Sequence, residues 1–193
     1  DLRAVTVRHY ARSPGGVSSL RNLPWRVDPA FSYGGLFFET ACHTIDALDF
    51  LFGPITVTGS SAINSARDYH VVDTVTASFL FANGIPGSGV WCFATDREFE
   101  TIEVIGSKGT ISFHLYSFAP ISITRDGRIE EIDVANPPHV QQPLIQSIVN
   151  ELNGIGSCPS TGKSAARTAL ITEEILELEH AKIAAPISTR NGQ

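Results

Sequence analysis

The sequence predicts an α+β domain: an open, mostly antiparallel β-sheet with helices packed on one face. A train of short β-forming segments between Ile55 and Val134 is joined by linkers too short for parallel crossovers, which need a dozen or more residues. Segments with helical periodicity bracket that train, one before it and two after. At 193 residues the chain can bury one substantial core, so residues 1–193 are expected to form a single domain.

Taken in order, Leu2 to Ala11 alternates around Val5 and Val7 and predicts an entering strand. Ser13-Pro14-Gly15-Gly16 breaks it, and the stretch to Tyr33 carries Pro24 and Pro29 without sustained periodicity, the mark of a functional or irregular loop. From Gly34 to Pro54 the pattern becomes helical. Phe38, Ala41, Ile45, Leu48 and Phe52 recur at intervals of three and four as an apolar stripe, and Gly53-Pro54 stops the helix. Ile55–Ile63 and Val71–Ala82 read as strands, the second with Val75, Ala77, Phe79 and Phe81 on one side and Thr74, Thr76 and Ser78 on the other. Asn83-Gly84 marks a turn, and Val90–Ala94, Thr101–Ile105 and Thr110–Leu115 continue the sheet. Ile121–Thr124 and Arg128–Val134 form a hairpin around Asp126-Gly127. Val140, Leu144, Ile145, Ile148, Val149 and Leu152 make an amphipathic packing helix. A second packing helix runs from Gly162, capped by Thr161, with Ala169, Thr172, Ile175, Leu176 and Leu178 inward and Glu173, Glu174, Glu177 and Glu179 outward; the tail after Pro186 is expected to fray.

Composition removes several function classes. A formal charge of −6 without a Lys/Arg cluster argues against nucleic acid and anionic membranes as partners. Cys42, Cys92 and Cys158 are widely spaced with no Cys-x-x-Cys pair, which suggests buried thiols in a reducing compartment. No charged-then-apolar leader and no apolar run long enough for a bilayer is visible, so a cytoplasmic location is expected.

The chemistry-bearing pattern lies on the helix after Gly34. Glu39, His43 and Asp46 fall four and three residues apart and therefore stack on one face, two carboxylates flanking one imidazole. A carboxylate one turn away can orient an imidazole and favour its protonated form, which suits His43 to work as a general base. An acid-rich face that merely meets solvent is the competing explanation of the spacing. The three side chains are also legitimate metal ligands, but no further donor converges in sequence, and His70, His114 and His139 stand isolated, so no metal is expected. Gly156 to Gly162-Lys163-Ser164 is not a phosphate loop: the spacing is one residue too long and Pro159 stiffens its middle. Trp25 and Arg26 either wall and bind a ligand or anchor a loop.

Leu23-Pro-Trp-Arg-Val-Asp-Pro29, Ser32-Tyr-Gly-Gly-Leu36, Phe38-Glu-Thr-Ala-Cys-His-Thr-Ile-Asp46 and Leu51-Phe-Gly-Pro54, in that order, resemble the second domain of the glucose-fructose oxidoreductase, inositol dehydrogenase and MocA (Gfo/Idh/MocA) family. The resemblance runs from about Leu2 to about Ile183. It implies the sheet type of the dihydrodipicolinate reductase C-terminal domain, subunits packing through the sheet as a homo-oligomer, and an NAD- or NADP-dependent oxidoreductase acting on a sugar, a cyclitol or a related hydroxyl or keto substrate. It also implies His43, Glu39 and Asp46 as catalytic residues and Trp25, Arg26 and Tyr33 as substrate-binding residues. The family usually has Asp at the position of Glu39 and a third glycine at that of Tyr33. No Gly-x-Gly-x-x-Gly turn occurs, so the dinucleotide-binding domain is expected to be absent from this chain and the isolated chain to be inactive. A non-catalytic binding or scaffold module of the same fold is the alternative.

Overall fold

A computed structural model describes residues 1–14 and 23–184, excepting the side chains of residues 178–184. The Gly15-Gly16 break, the Leu178 and Glu179 side chains and the segment after Pro186 lie outside the described residues. Eight strands, β1 (Leu2–Arg12), β2 (Ile55–Ile63), β3 (Thr74–Phe81), β4 (Pro86–Thr95), β5 (Phe99–Gly106), β6 (Gly109–Phe113), β7 (Ile121–Arg125) and β8 (Arg128–Ile132), form one open sheet. Its order is β2-β3-β4-β1-β5-β6-β7-β8. β2–β3, β3–β4, β5–β6, β6–β7 and β7–β8 pair antiparallel, as connections too short for a crossover favour, whereas β4 and β5, joined by residues 96–98, are separated in the sheet by β1. The parallel pair is β1 with β4, whose connection passes through a helix and the β2–β3 hairpin and is long enough for a crossover. Residues 71–73 do not join β3; Val71 instead packs with Val27 and Tyr69 in a small separate cluster.

Helices α1 (Gly35–Phe52) and α3 (Gly162–Ala184) cover one sheet face. Val5 and Val7 of β1, Phe79 of β3 and Trp91 and Phe93 of β4 meet Phe37, Ala41, Ile45 and Leu48 of α1 and Ile175 and Leu176 of α3 in a continuous core. Each fully buried large apolar side chain contributes roughly 1.5–3 kcal/mol. The α1 stripe is the predicted one with a shift at its start: Phe37 is wholly buried, whereas Phe38 packs only at the edge. Gly35 opens α1 at φ 59°, where an added Cβ would meet the Val72 carbonyl oxygen at 2.8 Å, so the helix start is pressed against the chain before β3. Thr161 caps α3 as predicted: the Ser164 amide donates to its hydroxyl at 3.3 Å, and its own amide donates to the Ser164 hydroxyl at 2.9 Å.

The sequence predicts α2 (Gln142–Leu152) as a packing helix, and here the structure differs. None of its residues is buried, and Leu144, Ile145, Ile148, Val149 and Leu152 remain exposed. Periodicity fixes which side of a helix is apolar but not what meets it. No helix among the described residues is long and apolar enough to cross a membrane.

Candidate active site

The α1 helix places His43 and Asp46 of the predicted triad at two cavities, and Glu39 lines neither. His43 is exposed, whereas its neighbours Ala41 and Thr44 are buried, so the core fixes the helix rotation that turns the imidazole outward. On the α3 side a cavity of about 410 Å³ is lined by His43, Asp46, Asp49, Ser160, Ser164 and Arg167. A second, of about 280 Å³, is lined by His43 and Asp46 with Phe38, Cys42, Thr168 and Thr172. His43 and Asp46 thus border both.

The two carboxylates are engaged differently from a simple acid–imidazole–acid row. The sequence predicts that Glu39 orients His43; instead Glu39 accepts an ion-paired hydrogen bond from Arg26 Nε at 2.8 Å. Arg26 in turn lies over the Trp25 ring, 4.5 Å from its centroid, so Glu39 anchors the loop before α1. Asp46 accepts from the Thr168 hydroxyl of α3 at 3.1 Å, which holds its carboxylate on the cavity side of the helix. The Tyr33 ring lies tilted against Phe38 with centroids 5.3 Å apart, and burial followed by the charges of Glu173 and Glu177 raises its phenol pKa. Trp25, Arg26 and Tyr33 line neither of the cavities at His43.

Three features were not visible in sequence. Asp49, nearly buried, receives both Arg167 Nη2 at 2.6 Å and Arg167 Nε at 3.3 Å, a two-pronged pair that ties α1 to α3 beside the site. Tyr116 donates to the Thr40 carbonyl at 2.6 Å, and its ring lies 6.4 Å from His43 and 5.0 Å from His9. Burial pushes its phenol pKa up to about 12. The third is a histidine–glutamate group on β1, β5 and the end of β6; His114, isolated in sequence, donates through Nδ1 to the Glu100 carbonyl. Burial raises the Cys42 thiol pKa, so it is a poor nucleophile at neutral pH. Among the described residues no group of three or more His, Cys, Asp or Glu side chains is arranged to hold a metal ion.

The family model described as GFO/IDH/MocA C-terminal domain matches residues 1–112, more than half of the chain. The chain belongs to the Gfo/Idh/MocA family. The Gfo/Idh/MocA assignment agrees with a relative, Oxidoreductase P35 of Formosa agariphila, 32% identical over 149 residues that make up 77% of this chain and 46% of the relative. Among solved structures, levoglucosan dehydrogenase in complex with NADH matches at TM-score 0.75 and 16% identity, over 94% of this chain and 57% of that one. The WlbA dehydrogenase of Bordetella pertussis, in complex with NADH and UDP-GlcNAcA, matches at TM-score 0.68 and 23% identity, over 94% and 53%. At these identities the structural matches establish the shared fold. The chain spans about half the length of these relatives.

Proposed function

We propose that this chain is the substrate-binding and proton-transferring domain of an NAD- or NADP-dependent oxidoreductase acting on a sugar, a cyclitol or a related hydroxyl or keto compound. The observation that carries the proposal is His43, exposed on a helix anchored in the core, at the common border of two cavities, with Asp46 one turn away held by Thr168. An imidazole so placed can accept the proton of a substrate hydroxyl and return it in the reverse reaction. Asp46 would hold the substrate or the histidine, and Glu39, through Arg26, keeps the Trp25 loop beside the helix.

A nicotinamide cofactor, when bound, supplies hydride transfer. The residues of this chain do not fit a whole dinucleotide site, because no strand, Gly-x-Gly-x-x-Gly turn and helix occurs in it. The dinucleotide is therefore assigned to a second domain, and the structural neighbours with bound NADH, each about twice the matched length, support that division.

A binding module without chemistry is favoured by one observation, the diversion of Glu39 to Arg26. The two are separated by His43→Asn in the complete protein with its dinucleotide-binding domain. Loss of nicotinamide turnover by about 10²–10⁴-fold with folding intact supports proton transfer. Unchanged turnover supports the module.

A further inference from the structure

Two acids one turn apart on α1 are gripped by consecutive residues of α3. Thr168 donates its hydroxyl to Asp46 at 3.1 Å, and Arg167 donates Nη2 and Nε to Asp49 at 2.6 and 3.3 Å. The neutral donor goes to the acid nearer His43 in the helix, and the cation to the acid a turn farther along. Asp46, Asp49 and Arg167 all border, with His43, the cavity of about 410 Å³.

Burial accounts for half of this arrangement. The Asp49 side chain is 4% exposed, and a carboxylate so deep needs a counter-charge; among the described residues Arg167 is its one ionic partner. The Arg167 side chain is itself 47% exposed, so it has room to reorient. Asp49 is the main influence on the charge of Arg167, and Asp46 attracts the same guanidinium more weakly through space. Among the described residues Asp46 makes no ion pair. The Thr168 hydroxyl carries a single proton, for which the Ser164 carbonyl oxygen competes at 3.2 Å, so its hold on Asp46 is at most one neutral hydrogen bond. A guanidinium released from Asp49 would outcompete it, because a charge-assisted bond is about twice as strong as a neutral one.

We propose that Asp49 is a positioning residue that keeps the Arg167 guanidinium docked on itself, so that Asp46 stays unpaired with a cation and open to the cavity it shares with His43. The inference rests on the reading of His43 and Asp46 as working groups. With Arg167 on it, Asp46 would lose acceptor positions that it offers to a substrate hydroxyl or to the imidazole, and a positive charge would stand against a ring that has to accept a proton. Asp49 acts through Arg167 and touches no reacting atom. The other titratable groups around His43 are the same in both arrangements: Glu39, paired with Arg26, and Cys42 on α1, and Tyr116, whose ring also lines a cavity of about 370 Å³ with His9, Glu100 and His114.

The test is a pH titration of the His43 ring resonances in the 193-residue chain, with the circular dichroism spectrum as the check on folding. Asp49→Asn releases Arg167 to Asp46, and the His43 midpoint is expected to fall by about half a pH unit or more as the cation nears the ring. Adding Arg167→Gln to Asp49→Asn should return the midpoint to at least its value in the unaltered chain, and Arg167→Gln alone should not lower it. If Asp49→Asn does not fold, Asp49→Ser, which removes the charge without burying an amide, takes its place with the same expectations. A midpoint that is unmoved or raised by loss of the Asp49 charge would overturn the inference. So would a fall that Arg167→Gln does not reverse, the result of a general distortion of α1. No turnover is read in this titration, so its failure leaves proton transfer to be decided by His43→Asn, and failure of that test leaves the titration standing.

Discussion

Asp73 shows how far one carboxylate can organise a loop. It is almost wholly buried and accepts from the Ser65 amide and hydroxyl, the Ala66 amide and the Thr74 hydroxyl, all between 2.8 and 2.9 Å. Burial alone would raise its pKa, but these bonds outweigh it and hold the carboxyl below its ordinary value of 3.8. A depressed folded pKa gives stability that is fully present above the unfolded value and is lost as pH falls through the folded one. Asp73→Asn is therefore predicted to cost about 1.5–3 kcal/mol at neutral pH, the worth of a hydrogen bond to a charged group. The deficit should begin to shrink below about pH 4, where the carboxylate of the unfolded chain protonates, and continue to shrink as pH falls through the lower folded value. Urea unfolding at the two pH values checks it; an equal deficit at both would contradict the charge-based account. The triad on α1 is legible in sequence because its spacing is helical, but the neighbours that hold its acids are not. Arg26 meets Glu39 through the loop before α1, and Thr168 meets Asp46 from more than a hundred residues away.

At the scale of elements, Gly89 lets β4 accommodate its own tryptophan. A Cβ on Gly89 would lie 2.2 Å from the ring of Trp91, which is wholly buried and cannot withdraw. Gly89→Ala is predicted to destabilise the domain by about 1–3 kcal/mol through overpacking, measured by denaturant midpoint. The helix α2 gives the opposite expectation. Leu144 and Ile148 are each 42% exposed, so Leu144→Ser with Ile148→Ser should change the stability of this chain by no more than about 0.5 kcal/mol per site. A loss of about 2 kcal/mol or more, as for a core truncation, would show that the stripe packs within the domain. The periodicity of α1 and α3 and the alternation of β3 foretell their buried faces. That of α2 does not, because the identity of a covering surface is not written in the helix it covers. The β1–β4 parallel pair is likewise invisible locally, since it joins strands separated by four intervening connections.

The whole molecule places a prebuilt helix face at the margin of a domain that matches about half of each relative. Its sheet and class follow from strand spacing and linker length, whereas the cavity of His9, Glu100 and His114 arises only when β1, β5 and the end of β6 are laid side by side. If the dinucleotide is held elsewhere, the 193-residue chain supplied with NAD or NADP and a sugar should show no change in nicotinamide absorbance above background. Sustained turnover by this chain alone would contradict the division of labour. The central claim, that His43 moves the proton, is tested most directly by the turnover of His43→Asn in the complete protein alongside its circular dichroism spectrum. A fall of about 10²–10⁴-fold with an unchanged spectrum is the predicted result, and a rate equal to that of the unaltered protein would contradict it.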